Sequence, residues 1–260
     1  MPVAAILGSA FHADALGDVP LAPVEVETPW GPWTLHRTKN GALVSFRHGL
    51  PHRLLPNQIP YRAQAWALKD AGAEAILVTS SVGVLRRELP LYRPLLLGDL
   101  LYPENRLPDG STCTMFDAPS ASHGHLLIHD GLFSSALTEQ LAAIASGAGE
   151  APVGDVVFAY AGGPRGKTPA ENRLWATLGA DVNSMTLAPE VVLANELEIP
   201  CAGLCVGHKY SVPGVDVPDE EGITGSLDAA RAATLRIVRA FLEKGETVPF
   251  ANEVYRVGGS

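Results

Sequence analysis

The feature that most constrains this chain is an alternation. Short apolar, β-branched runs recur between longer alanine-rich segments with helical spacing. Val3–Gly8, Val24–Thr28, Trp33–Arg37, Leu43–Phe46, Ala75–Thr79, Arg93–Leu97, Leu126–Ile128, Val156–Tyr160 and Cys201–Val206 read as strands. Their near-continuous apolar character suits strands covered on both faces. Between them, Tyr61–Ala71 opens after Pro60 and stops at Gly72, Leu132–Ala145 carries an apolar stripe, and Ala170–Leu178 stops at Gly179. Ala188–Leu197 places Pro189 and Glu190 in a first turn, and Leu227–Lys244 runs from a capping Ser226 to Gly245. These are the punctuation marks of helices. The pattern predicts an α/β protein: a central mixed, twisted β-sheet flanked by helices, in a single domain over residues 1–260. Two irregular stretches, Leu101–Ser122 and Ser211–Gly225, are long enough to be functional loops.

Charge narrows the class of partner. With 19 Lys and Arg against 28 Asp and Glu, a net charge of -9 and no basic cluster, the chain is no binder of nucleic-acid backbones. No apolar stretch approaches the length of a membrane span, so no membrane partner is expected. Three cysteines, Cys113, Cys201 and Cys205, make no disulfide framework and point to a reducing, cytoplasmic setting.

Several local motifs carry chemistry. Ala161-Gly-Gly-Pro-Arg-Gly-Lys-Thr168 satisfies a relaxed phosphate-loop pattern, which would make the chain an NTPase, although Pro164 removes a backbone donor and Pro169 sits where a helix should already run. His123, His125, His129 and Asp130 have a spacing that a metal can use, and also the composition of a solvent-facing loop; no metal is expected. Cys201 and Cys205, four apart in a strand, face one side as core residues. More informative are three strand ends. Gly8-Ser9 follows the first strand, Arg47-His48 follows Leu43–Phe46, and Ser80-Ser81 closes Ala75–Thr79. A guanidinium fork beside an imidazole and hydroxyls, at the carboxyl edge of an α/β sheet, is suited to hold an oxyanion.

The same residues carry a resemblance. The run Phe46-Arg-His-Gly-Leu-Pro-His-Arg-Leu-Leu-Pro-Asn-Gln-Ile-Pro-Tyr61 through Leu68, followed by Thr79-Ser-Ser-Val-Gly-Val-Leu85, resembles the trimeric purine nucleoside phosphorylases, especially the 5′-methylthioadenosine phosphorylases. A second block agrees: Gly163-Pro-Arg165, Ala170-Glu171, Leu178-Gly-Ala-Asp181, Met185-Thr186, Pro189-Glu190 and Leu193-Ala194. The resemblance covers most of Val3 to Leu242 and implies the nucleoside phosphorylase fold, a homotrimer, and phosphorolysis. In that reaction inorganic phosphate, as co-substrate and with no other cofactor, displaces the base from a purine nucleoside. Carried over position by position, it implies phosphate binding by Ser9, Arg47, His48, Ser80, Ser81 and Thr186. It implies contacts to ribose or base from Val82, Gly83, Gly163, Lys167, Met185, His208 and Tyr210. His48 and His208 are the implied catalytic residues, with His52 and Tyr61 in support.

The departures fall on the base side. Gly166 stands where the family has an aromatic ring, Lys167 where it has an acidic or small residue, and Gly207-His208 where it has Thr followed by Asp or Asn. His208, as imidazolium, would then be the general acid that serves the departing base. Two alternatives within the fold stay open: a nucleoside hydrolase that uses water, and a homologue that binds nucleoside or phosphate without turnover.

Overall fold

The structure is a computed structural model that describes residues 2–11, 16–17, 19–118, 120, 123–212 and 220–256, the last segment as backbone alone over 220–226. Its first strand, β1 (Val3–Leu7), is buried at all five positions, as expected of an apolar run paired on both sides. Its side chains alternate between two core layers: Ala4 and Ile6 enter one, Val3, Ala5 and Leu7 the other. β2 (Leu21–Val26) and β3 (Trp33–Thr38) form an antiparallel pair at one edge, and β4 (Leu43–Phe46) joins β3 to β1.

The helix α1 (Tyr61–Asp70) leads into β5 (Ala75–Val84), which lies parallel to β1 on its other side. Then follow β6 (Pro94–Leu101), β7 (His125–Leu127), α2 (Ser135–Gly147), β8 (Val153–Tyr160), α3 (Pro169–Thr177), β9 (Val182–Ser184), α4 (Ala188–Glu196), β10 (Cys201–Tyr210), α5 (Glu220–Lys244) and β11 (Glu253–Tyr255). The main sheet runs β10-β6-β8-β9-β5-β1-β4-β3-β2, and β10 also pairs with β5. The sheet is mixed and flanked by helices, as the alternation predicts. Beyond that prediction, the additional pairing closes β5, β10, β6, β8 and β9 into a ring, with β1 to β4 as an open wing.

Helices cover both faces. Leu137, Leu141 and Ala145 of α2 and Ile237, Val238 and Phe241 of α5 share a core with Ala5, Leu77 and Leu204. On the other face, Ala67 and Leu68 of α1 and Val191 and Ala194 of α4 pack with Ile76 and Val78. Full burial of the Leu, Ile, Val and Phe side chains among these contributes about 1.5–3 kcal/mol each.

Some boundaries differ from the sequence reading. α2 begins at Ser135 because the Ser134 hydroxyl accepts from the Leu137 amide, while Phe133 dips into the core. β5 runs on through Ser80 and Ser81 to Val84, because β9 and β10 pair with its far end. In the stretch read as irregular from Ser211 to Gly225, helix α5 already begins at Glu220, and residues 213–219 lie outside the described residues, as does the side chain of the expected cap Ser226. Of the other irregular stretch, residues 119, 121 and 122 are likewise outside.

Candidate active site

Register brings three strand ends together. Leu7 of β1 pairs with Phe46 of β4, and Ile6 with Val78 of β5, so Gly8-Ser9, Arg47-His48 and Thr79-Ser80-Ser81 emerge side by side. Local bonds lock them. The Gly8 amide donates to Thr79 Oγ1 at 3.2 Å, the Arg47 amide to the Leu7 carbonyl at 3.2 Å, and Arg47 Nη1 to the Thr79 carbonyl at 2.6 Å. Gly8 is required by this packing, since a Cβ there would stand 2.8 Å from Arg47 Nη1.

Arg47 departs from the expected phosphate fork. Its Nε donates to Glu190 Oε1 at 2.7 Å and its Nη2 to Glu190 Oε2 at 2.5 Å, with both side chains 1% exposed. Counting the bond to Thr79, three of its five N–H groups serve the protein, and two remain for an anion. The bidentate geometry is the one inferred from the residue type, but it is spent on a carboxylate of the chain itself. Glu190 was visible in the sequence as an acidic residue in a helix's first turn and, with Pro189, as part of the second block of the resemblance, with no role attached.

His48 is oriented from behind. Its Nδ1–H donates to the Leu54 carbonyl at 2.8 Å, and its ring stacks on His52 at 4.4 Å and 17°. Burial, and then the charge of Arg47, push its pKa down to about 4. A neutral ring with Nδ1 committed as donor presents Nε2 as an acceptor. His48 can therefore accept from a protonated group in front of it and adds no positive charge. Ser80 Oγ lies 3.2 Å from Ser184 Oγ, which donates to the Ser81 carbonyl at 2.9 Å. Next to them, Thr186 and Met185 lead into Leu187, whose φ of 78 is unusual for a leucine and launches α4 toward Arg47. Such backbone conformations cost about 1–3 kcal/mol and cluster at functional sites.

One cleft of about 450 Å³ is lined by Ser9, Arg47, His48, Ser80, Ser81, Gly83, Lys167, Met185, Thr186 and His208, ten of the residues singled out from sequence. His52, Asn172, Asn183, Ser184, Lys209 and Ser211 line it too, and of these only His52 was singled out beforehand. Three expected contacts do not reach its wall. Val82 is buried in the core, Tyr210 donates its hydroxyl to the Leu89 carbonyl at 2.9 Å, and Gly163 lies behind Met185, where a Cβ would come within 2.7 Å of Sδ. Tyr61 stands outside as well, its hydroxyl on the Pro56 carbonyl at 3.2 Å.

The end of the cleft expected to meet a base is built by a bulge. Gly207 pairs with Val82 and Lys209 with Gly83, so His208 is the extra residue of β10. A bulge of this kind re-aims its side chain. His208 Nδ1 is buried with no hydrogen-bond partner among the described residues. Burial, Lys209 and Lys167 all lower its pKa, which favours the neutral ring over the imidazolium expected of a general acid.

The phosphate-loop reading fails on geometry. Thr168 caps α3, its amide donates to Glu171 Oε2 at 2.7 Å, and Glu171 also holds Arg165. The helix N-terminus where a nucleotide phosphate would sit is filled by the chain's own carboxylate. Among the described residues no three His, Cys, Asp or Glu side chains are grouped to hold a metal, and His123 and His129 bond separately to the Ala118 carbonyl and Glu253. Cys201 and Cys205 are fully buried in one core layer, their thiols pushed up by burial.

A ring of five strands with an open wing, and an oxyanion-suited cleft at the wing's carboxyl edge, define an α/β protein of the nucleoside phosphorylase type. The chain belongs to the family described as the phosphorylase superfamily, which it matches over residues 2–243. It is 36% identical over 197 residues to a probable S-methyl-5′-thioinosine phosphorylase of Methanopyrus kandleri, covering 74% of this chain and 73% of that one. It is 33% identical over 207 residues to an S-methyl-5′-thioadenosine phosphorylase of Thermofilum pendens, covering 77% and 74%. In fold it is similar to the adenosine/methylthioadenosine phosphorylase of Schistosoma mansoni, with a TM-score of 0.80 at 22% identity over 94% of this chain and 91% of that one.

Proposed function

We propose that this protein cleaves the N-glycosidic bond of a purine nucleoside by phosphorolysis, releasing the free base and ribose 1-phosphate. The observation that carries the reading is the convergence of Ser9, Arg47, His48, Ser80 and Thr186 on one wall of a cleft whose other groups suit a sugar and a base. Phosphate held there attacks the anomeric carbon as the bond to the base loosens, through a state with oxocarbenium character. The protein's task is to align the nucleophile and stabilise the charge that appears on the base. Inorganic phosphate is the co-substrate and no other cofactor enters the step.

A neighbouring chamber of about 290 Å³ shares Ser9, Ser80, Ser81 and His208 with the cleft, and its further lining includes Phe11, Val206, Leu227 and Ala230 together with the polar Arg231 and Thr234. The apolar part of that lining supports a nucleoside with an apolar 5′ substituent, in line with the names of the sequence relatives. The Arg47–Glu190 pair keeps alive a second reading, hydrolysis, because it leaves the anion wall with little net charge.

The test is a panel of 5′-methylthioinosine, 5′-methylthioadenosine, inosine and adenosine, incubated with and without phosphate. Release of base together with sugar 1-phosphate, only when phosphate is present, is the expected result. Base release at equal rate without phosphate establishes the hydrolase. The reading includes a cytoplasmic homotrimer, checked by light scattering; no helix among the described residues is long and apolar enough to cross a membrane.

A further inference from the structure

The far end of the cleft is cationic. Lys167 and Lys209 both line it, and neither ammonium has a hydrogen bond or ion pair among the described residues. Lys209 stands at the level of Gly83 on β5, while Arg47 is anchored at Thr79. At about 3.3 Å per residue, four positions put roughly 13 Å between those levels, which leaves room for a nucleoside between them. The carboxylate whose charge reaches Lys167, Glu171, is already held by Arg165 and the Thr168 amide. Asn183 Oδ1, near Gly83, is buried and has no hydrogen-bond partner among the described residues, its amide nitrogen being committed to Asn172 Oδ1 at 3.0 Å.

Resting on the functional reading above, we infer that Lys167, assisted by Lys209, is a catalytic residue that stabilises the departing base as an anion, and that the enzyme takes bases carrying an exocyclic oxo group. In the step, a phosphate oxygen forms a bond to C1′ while the C1′–N bond breaks with its electron pair going to the base. The base leaves as a monoanion, and no proton moves until water supplies one later. An oxo-purine spreads that charge onto its exocyclic oxygen, where an ammonium can meet it. An amino-purine turns N–H groups toward the same ammonium, donor against donor. Burial and the neighbouring Lys209 lower the Lys167 pKa, and an anion between the two relieves that repulsion. A neutral His208 fits the same picture, since this route needs no proton donor. Fixed charge aimed at a developing anion in a water-poor site is typically worth a factor of about 10²–10³ in rate.

The experiment compares kcat/KM for inosine, adenosine and 7-methylguanosine, all with phosphate, in wild type, Lys167→Gln and Lys209→Gln. The base of 7-methylguanosine leaves without acquiring net negative charge, so it reports on the remaining machinery. Wild type is expected to prefer inosine over adenosine. Lys167→Gln is expected to lose at least tenfold more activity on inosine than on 7-methylguanosine, and exposed Lys209→Gln a smaller part of the same selectivity. Calorimetric binding of hypoxanthine and adenine supplies a readout independent of turnover, with hypoxanthine affinity falling in both variants and adenine affinity holding. A wild-type preference for adenosine, or equal losses on all three nucleosides, overturns the inference and leaves phosphorolysis standing. If wild type cleaves only 5′-methylthio nucleosides, 5′-methylthioinosine and 5′-methylthioadenosine take the places of inosine and adenosine in the comparison; failure to cleave these as well overturns the functional reading and this one with it.

Discussion

Arg47 and Glu190 form a two-pronged, solvent-free ion pair that ties the carboxyl end of β4 to the first turn of α4, across 143 residues of sequence. It sits under the anion wall and fixes which of the guanidinium's hydrogens point into the cleft. Removing one member strands the other's charge in the interior. Arg47→Ala therefore tests folding and phosphate binding at once.

Glu190→Ala is expected to destabilise the protein by about 3–5 kcal/mol, the usual cost of leaving a buried charge unpaired. Urea unfolding measures it. The double variant Arg47→Met/Glu190→Leu should recover much of that stability while phosphate-dependent turnover stays lost. A double variant no more stable than Glu190→Ala would show that the pair is not the source of the loss.

Gly8→Ala places a methyl group 2.8 Å from Arg47 Nη1, and the guanidinium has to move. Displacements of about 1 Å in a reacting array cost up to roughly 10²-fold in rate. The expected outcome is a fall in kcat/KM of about tenfold or more, with KM for phosphate raised and the far-ultraviolet circular dichroism unchanged. A variant with native kinetics would mean that Arg47 takes no part in anion binding.

Acid stability should carry the mark of His48. Its folded pKa of about 4 lies below the ordinary histidine value of 6.5, so between these the unfolded chain binds a proton that the native ring refuses. Stability attributable to this group is complete above about pH 6.5 and drains away as pH falls toward 4. His36 and His208 shift in the same direction and add to the slope. Thermal midpoints recorded from pH 4 to 8 for wild type and His48→Asn should show a shallower acid slope in the variant. Parallel slopes would assign the loss to other groups.

Inorganic phosphate should raise the melting temperature, because it binds the folded state alone. At 100 times its dissociation constant the gain is about 2.7 kcal/mol. Thr186→Ala should shrink the shift without lowering the phosphate-free midpoint by more than a few degrees. The comparison is made by differential scanning fluorimetry over a phosphate series, with chloride at matched ionic strength as the control.

The parts of the fold with local signatures were legible. β1, β4 and the first half of β5 are apolar runs, α1 is bounded by Pro60 and Gly72, and Arg47-His48 announces itself at a strand end. What escaped depends on distant partners. The bulge at His208 exists only because β10 pairs with both sides of an irregular register on β5, and nothing in the tripeptide Gly207-His208-Lys209 signals it. β9 and β11, three residues each, are too short for any period to show. Glu190 reads locally as a favourable charge at a helix N-terminus. Its deeper use requires Arg47, and a sequence does not display a contact made across 143 residues.

The closure of β10 onto β5 has a consequence for how the molecule comes into being. β5 waits for a neighbour that lies roughly 120 residues downstream, and pairings of such long range are slow to form. A nascent chain that has emerged only as far as α4 owns Arg47, Glu190 and Thr186 but not the strand that bears His208 and Lys209. The floor of the cleft is thus finished late, and no product truncated before β10 possesses it.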